Sequence, residues 1–171
     1  MRLLYNFGEL STDRIEIFRI KERPWLLHRF YLLDLCRDDR EELSKVNPGS
    51  SIPEILAFCI GQENTYGVLF DGVPSLLFGF APLPDEVVFL PWLLSDGRIQ
   101  KNCPREFLRL ARKIVNKVGS TGLPMYNCVP AETRRSTEWL TRLGFSFHSR
   151  TQRTLDGVPV RVFYMNATER E

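Results

Sequence analysis

Residues 66–94 read YGVLFDGVPSLLFGFAPLPDEVVFLPWLL, and the fold follows from how that stretch is punctuated. Asp71-Gly72 lies between two apolar runs, Tyr66 to Phe70 and Val73 to Phe80, and this pair favours the tight type I′ turn of a hairpin. Pro82-Leu-Pro84 makes the next connection, and Asp85 to Leu94 reads as a third strand. Pro91 has no N–H to offer a neighbour, so this strand is expected to bulge or splay there. Three successive strands thus form the centre of the chain.

Upstream, Arg14 to Ile20 alternates as a short strand, and Pro24 can occupy the first turn of a helix running from Trp25 to about Leu43. That helix ends in the charged run RDDREE, which reads as a solvated face. Asn47-Pro-Gly-Ser breaks it. Ser51-Ile-Pro-Glu54 has the form of a capping box and opens a short apolar helix that Gly61 can end. Downstream, residues 95–103 read as a polar loop. Pro104 then starts a helix with an apolar stripe of Phe107, Leu108, Ala111, Ile114, Val115 and Val118. Arg105, Arg109, Arg112, Lys113 and Lys117 fill its other face, and Gly119 closes it. A strand from Met125 to Val129 ends at Pro130, and a helix from about Thr133 to Leu143 is capped by Gly144. Two alternating strands, 145–154 and 158–165, join through Asp156-Gly157, and the polar tail is expected to fray. The order β–α–α–β–β–β–α–β–α–β–β predicts an α/β protein, an α+β mixed sheet flanked by helices on both faces. One domain spanning 1–171, with an ordered core of about 14–165, accommodates it.

Composition excludes more than it identifies. The 171 residues carry 23 basic and 21 acidic side chains, a net +2 that marks neither a polyanion binder nor an acidic tail. At 43% hydrophobic, the chain can bury a core. No stretch approaches the ~20 apolar residues of a membrane helix. Glu9 and Asp13 come too early for a secretory signal, so a cytoplasmic protein is expected. Cys36, Cys59, Cys103 and Cys128 are scattered, as are His28 and His148, so neither a zinc site nor a disulfide framework is expected. The later arginines raise nucleic-acid contact, but no stacking aromatics are interleaved and Glu106, Glu132 and Glu138 dilute the field.

The element order resembles the Gcn5-related N-acetyltransferase (GNAT) superfamily. Trp139-Leu-Thr-Arg-Leu-Gly-Phe145 looks like that superfamily's closing helix-to-strand motif. The strand, loop and helix from Val87 to Val118 lie where the family binds the CoA pyrophosphate, and Met125 to Val129 lies where it splays its sheet to admit pantetheine. The resemblance implies a GNAT-like acyl-CoA acyltransferase fold, acetyl-CoA as acyl donor and an amine acceptor, without metal. Several residues depart from the pattern. The phosphate loop Arg98-Ile-Gln-Lys-Asn-Cys103 has no glycine, Leu140 stands where many members carry a tyrosine that acts as general acid, and Thr133 aligns with a common asparagine. With these degenerate positions the chain is similar to GNAT-like proteins of tailed phages, in particular internal virion protein A of short-tailed phages. That similarity implies an alternative: a non-catalytic, virion-associated assembly protein in a bacterial host, with phage structural proteins as partners.

Acyl transfer needs an anion cradle, an oxyanion donor and a base. The cradle candidates are Arg98, Gln100, Lys101, Asn102, Arg105 and Thr133, with Leu93 and Leu94 offering backbone to pantetheine; a solvated basic helix start is the plainer reading of the charges. Asp96 would repel a pyrophosphate. Glu86 at the start of the third strand and Glu132 before the late helix are the catalytic base candidates, each a surface carboxylate in the plainer reading, and Tyr126 can supply a hydroxyl or simply pack. Cys128 can be drawn as an acyl-cysteine nucleophile, but no histidine neighbours it in sequence, and a buried thiol is the plainer reading.

Overall fold

The computed structural model describes residues 5–84 and 87–167. The central hairpin forms as its turn residues dictate. β2 (Thr65–Phe70) and β3 (Val73–Pro82) are joined by Asp71 and Gly72 at φ +49° and +78°, the pair of left-handed residues that a type I′ turn requires. β1 (Ile15–Arg19) pairs antiparallel with β2, and β4 (Phe89–Ser95) antiparallel with β3. β5 (Met125–Pro130), β8 (Pro159–Met165) and the two-residue strands β6 (Ser146–Phe147) and β7 (Gln152–Arg153) complete an eight-stranded mixed sheet. Its order is β1-β2-β3-β4-β5-β8-β6, with β7 also on β8.

Both faces of the sheet are covered, so the central strands are apolar on both sides. β2 is buried along its whole length. One face carries Phe78, Phe80 and Phe89 against Ile114, Val115 and Val118 of the long helix α5 (Pro104–Gly119). The other carries Phe18, Leu77 and Leu94 against Phe30 of α1 (Leu27–Tyr31) and Leu56 and Ile60 of α3 (Ile52–Gly61). Each fully buried side chain of this kind stabilises by about 1.5–3 kcal/mol. The capping box forms as read: Ser51 Oγ accepts from Glu54 N–H, and the Glu54 carboxylate accepts from Ser51 N–H. Gly79 lies opposite Trp92, where an added Cβ would stand 2.6 Å from the indole, so only glycine lets that ring lie across the sheet.

The structure corrects three sequence readings. The single helix expected from Trp25 to Leu43 is two helices, α1 and α2 (Arg37–Val46), separated by residues 32–36. Leu33 and Leu35 are both buried while Leu32 is 80% exposed, an alternation that extended chain satisfies and a helix does not. The loop expected at 95–103 contains a short helix, α4 (Arg98–Asn102), entered through Gly97 at φ +85°. The strand expected at 145–154 is interrupted. Phe147 pairs with Phe163 and Gln152 with Val160, so two extra residues loop out between β6 and β7. Among the described residues no helix is long and apolar enough to cross a membrane.

Candidate functional site

The sheet opens between β4 and β5. These parallel neighbours share one paired position, Phe89 with Met125, where Phe89 N–H also bonds Pro124 O at 3.0 Å. Beyond it they diverge toward their C-terminal ends. Pro91 contributes no donor there, and Asn127 Nδ2 reaches across to its carbonyl at 3.0 Å. By strand alternation, Phe89, Pro91, Leu93 and Ser95 present their backbone to the β5 side, while Leu94 faces β3 opposite Leu77. Leu93 is therefore the candidate whose backbone faces the opening, and Leu94 is buried and already paired.

A cavity of about 1690 Å³ lies beside this opening, lined by Trp92, Leu93, Asn127, Cys128 and Trp139 among others. α2 forms its roof. Cys36 N–H donates to Ser95 O at 2.8 Å, and Asp39 Oδ2 accepts from Ser95 N–H at 2.7 Å. At the far side, Asp38 pairs with Arg135 and Glu42 accepts from Ser136 Oγ, both at the start of α6 (Arg134–Arg142). α2 thus spans the open end of the splay from β4 to α6. Burial pushes the Asp39 carboxyl up to about 6, against the pull of the Ser95 amide, and burial also raises Glu42. No ion pair among the described residues compensates either carboxylate.

The basic segment is arranged differently from its reading in sequence. Asp96 Oδ1 accepts from Arg98 N–H (3.0 Å) and from Ser75 Oγ (2.6 Å), and Asp96 Oδ2 accepts from Arg98 Nε at 2.7 Å. Ser95 Oγ takes the Gly97 N–H at 2.9 Å. Two backbone donors at the entry to α4, those of Gly97 and Arg98, are therefore met by the chain's own side chains, and a carboxylate stands beside the place where an anion would be cradled. Arg98 also donates to Pro74 O at 2.9 Å, so its guanidinium is engaged on the sheet. Gln100 Oε1 accepts from Ser95 Oγ, and Asn102 Nδ2 donates to Arg98 O. Lys101 and Arg105 are exposed and in no ion pair among the described residues.

The remaining candidates separate. Arg98, Gln100 and Lys101 line the cavity with Leu93 and Leu94; Asn102, Arg105, Tyr126 and Thr133 do not. Tyr126 is half-buried opposite Tyr164, and Thr133 is the N-cap residue of α6, its carbonyl accepting from Thr137. Glu86 lies outside the described residues. Cys128 reaches the cavity, but burial raises its thiol, which lowers its reactivity. Asp39 and Glu42 escaped sequence reasoning because RDDREE reads as a solvated helix end. Acidic residues in a first turn, Asp38 and Asp39, are the available signal that a helix begins there instead. No group of three His, Cys, Asp or Glu among the described residues could hold a metal ion.

No family model and no curated protein matches the chain in sequence. Solved structures do match it in fold. The microcin C7 self-immunity acetyltransferase, in complex with acetyl-CoA and AMP, superposes with TM-score 0.59 at 12% identity, covering 94% of this chain and 97% of that one. A GNAT-family acetyltransferase from Bacillus anthracis gives 0.59 at 10% identity over 91% and 97%. Aminoglycoside 6′-acetyltransferase type Ii gives 0.57 at 16% over 90% and 97%. With its mixed sheet, its parted β4 and β5 and these neighbours, the chain has the fold of the GNAT acetyltransferases.

Proposed function

We propose that the protein is an N-acyltransferase that draws on acetyl-CoA and acylates an amine. The splay carries this reading: β4 and β5 meet only at Phe89 and Met125, and the Leu93 backbone faces the gap beside a cavity of about 1690 Å³. When bound, acetyl-CoA supplies an acyl group activated as a thioester. Leu93 offers one N–H and one C=O to an amide-bearing arm, the way a sheet edge accepts an added strand. The phosphate end fits this chain less well as a backbone cradle, because Asp96 fills that place. Lys101 and Arg105 would hold phosphate through side-chain charge instead. Asp39, at about 6, is ionised at neutral pH and faces the cavity, so it can take the proton an acceptor amine gives up.

A second reading is the non-catalytic scaffold, acting in phage assembly by binding structural proteins. The Asp96–Arg98–Ser75 network favours it, since an anion site satisfied from within needs no ligand. Calorimetric titration with acetyl-CoA separates the two. The acyltransferase reading expects saturable binding that weakens roughly tenfold in Lys101→Ala/Arg105→Ala, the loss of two charge-assisted contacts. Absence of heat and of any thermal shift at millimolar ligand supports the scaffold and contradicts the enzyme.

A further inference from the structure

We infer that α2 is a removable strap, held over the cavity by polar contacts and displaced when an acyl-thioester arm takes the β4 edge. The inference rests on the acetyl-CoA reading and adds its regulation. α2 has no fully buried residue; Asp39 and Glu42 are half-buried where they meet Ser95 and Ser136. Its attachments to the rest of the site are hydrogen bonds and an ion pair: Cys36 and Asp39 on Ser95, Asp38 on Arg135, and Glu42 on Ser136. Only Leu43 packs partly against the apolar cluster that includes Leu94 and Trp92. Lifting it therefore exposes little apolar surface, and an exposed ion pair adds only weakly to its hold.

The ends of the segment suit such a motion. Leu35 is buried at 3% exposure and fixes the chain just before α2, whereas residues 47–50 are all exposed and include Gly49 at φ +89°. Ser95 belongs to the same backbone edge as Leu93, two residues along. An arm laid on that edge toward the phosphate-binding charges meets the bonds from Cys36 and Asp39. The arm and α2 cannot both hold the Ser95 backbone. Displacement also detaches Asp39 from the Ser95 amide.

The test uses the Asp38–Arg135 pair, read by acetyl-CoA calorimetry and by hydrogen exchange of residues 36–46 in the full chain. Asp38→Arg and Arg135→Asp each free α2 and are expected to bind acetyl-CoA up to about fivefold more tightly than wild type. The Asp38→Arg/Arg135→Asp swap restores the pair and returns the affinity to the wild-type value. Arg135→Asp is the discriminating variant. It adds negative charge, so plain electrostatics weakens binding of an anionic ligand, while release of the strap tightens it. In wild type, acetyl-CoA is expected to speed exchange over 36–46, the reverse of ordinary ligand protection. Slower or unchanged exchange there, or weaker binding by Arg135→Asp, overturns the strap while acetyl-CoA binding stands. No binding by wild type and both released variants overturns the acyl-donor reading and the strap together.

Discussion

Asp39 is the residue on which the site's electrostatics turn. Its carboxyl rises from 3.8 to about 6 because burial penalises the charge more than the Ser95 N–H relieves it. A group whose pKa is higher in the folded protein favours folding while it is protonated. That contribution is full below about pH 4 and is lost as pH rises through about 6. Asp39→Asn keeps an oxygen for the Ser95 amide and removes the charge. It is therefore expected to exceed wild type in stability by about 1–3 kcal/mol at pH 7.5, with the difference vanishing near pH 4. Denaturant melts at the two pH values check this, and a pH-independent difference would contradict it.

At the scale of elements, most of the fold was legible where local chemistry and tertiary packing agree. The Asp71-Gly72 turn, the Ser51–Glu54 capping box and the stripe of α5 each have a local cause, and each forms as read. What stayed illegible depended on distant partners. Residues 32–36 leave the helix so that Leu33 and Leu35 reach the core and Cys36 reaches Ser95, sixty residues along the chain. The Arg98 loop winds into α4 because Asp96 supplies its first N–H partner, a contact that sequence gave as a charge conflict with phosphate. The lining of the cavity was legible in part for the same reason: Leu93 and Lys101 follow from their place at the end of the third strand and in the segment after it, whereas Asp39 arrives from a helix elsewhere. The α5–α6 contact offers a check at this scale. Phe107 and Trp139 stack with centroids 4.8 Å apart and planes 3° from parallel, and Arg112 Nε donates to Arg142 O at 2.8 Å. Trp139→Ala is expected to cost about 2 kcal/mol and lower Tm by roughly 4–8 °C. A drop under about 2 °C would mean that the stack does not hold α6 in place.

Across the whole molecule, the sheet is closed on both faces and open along one internal seam. The two apolar clusters cover opposite faces, and the one beneath α5 continues past the seam to Met125, Val129 and Phe163. β1 to β4 form one half of the sheet. β5, β8, β6 and β7 form the other half, joined to the first through Phe89 and Met125 and bridged by Asn127 to Pro91. α2 spans the far end of that seam, with polar bonds at Ser95, Arg135 and Ser136 and Leu43 packed partly against the apolar cluster. The net charge of +2 conceals an acidic α2 across the seam and the basic Lys101 and Arg105 in the segment that follows β4. The central claim is that the seam receives an acyl-CoA arm on the backbone of Leu93. The most direct measurement follows backbone amide resonances of isotope-labelled protein during titration with acetyl-CoA. The Leu93 amide is expected to shift and gain protection from exchange, while Leu94, facing β3, changes little. Shifts confined to the outer face of α5, or none along β4, would contradict it.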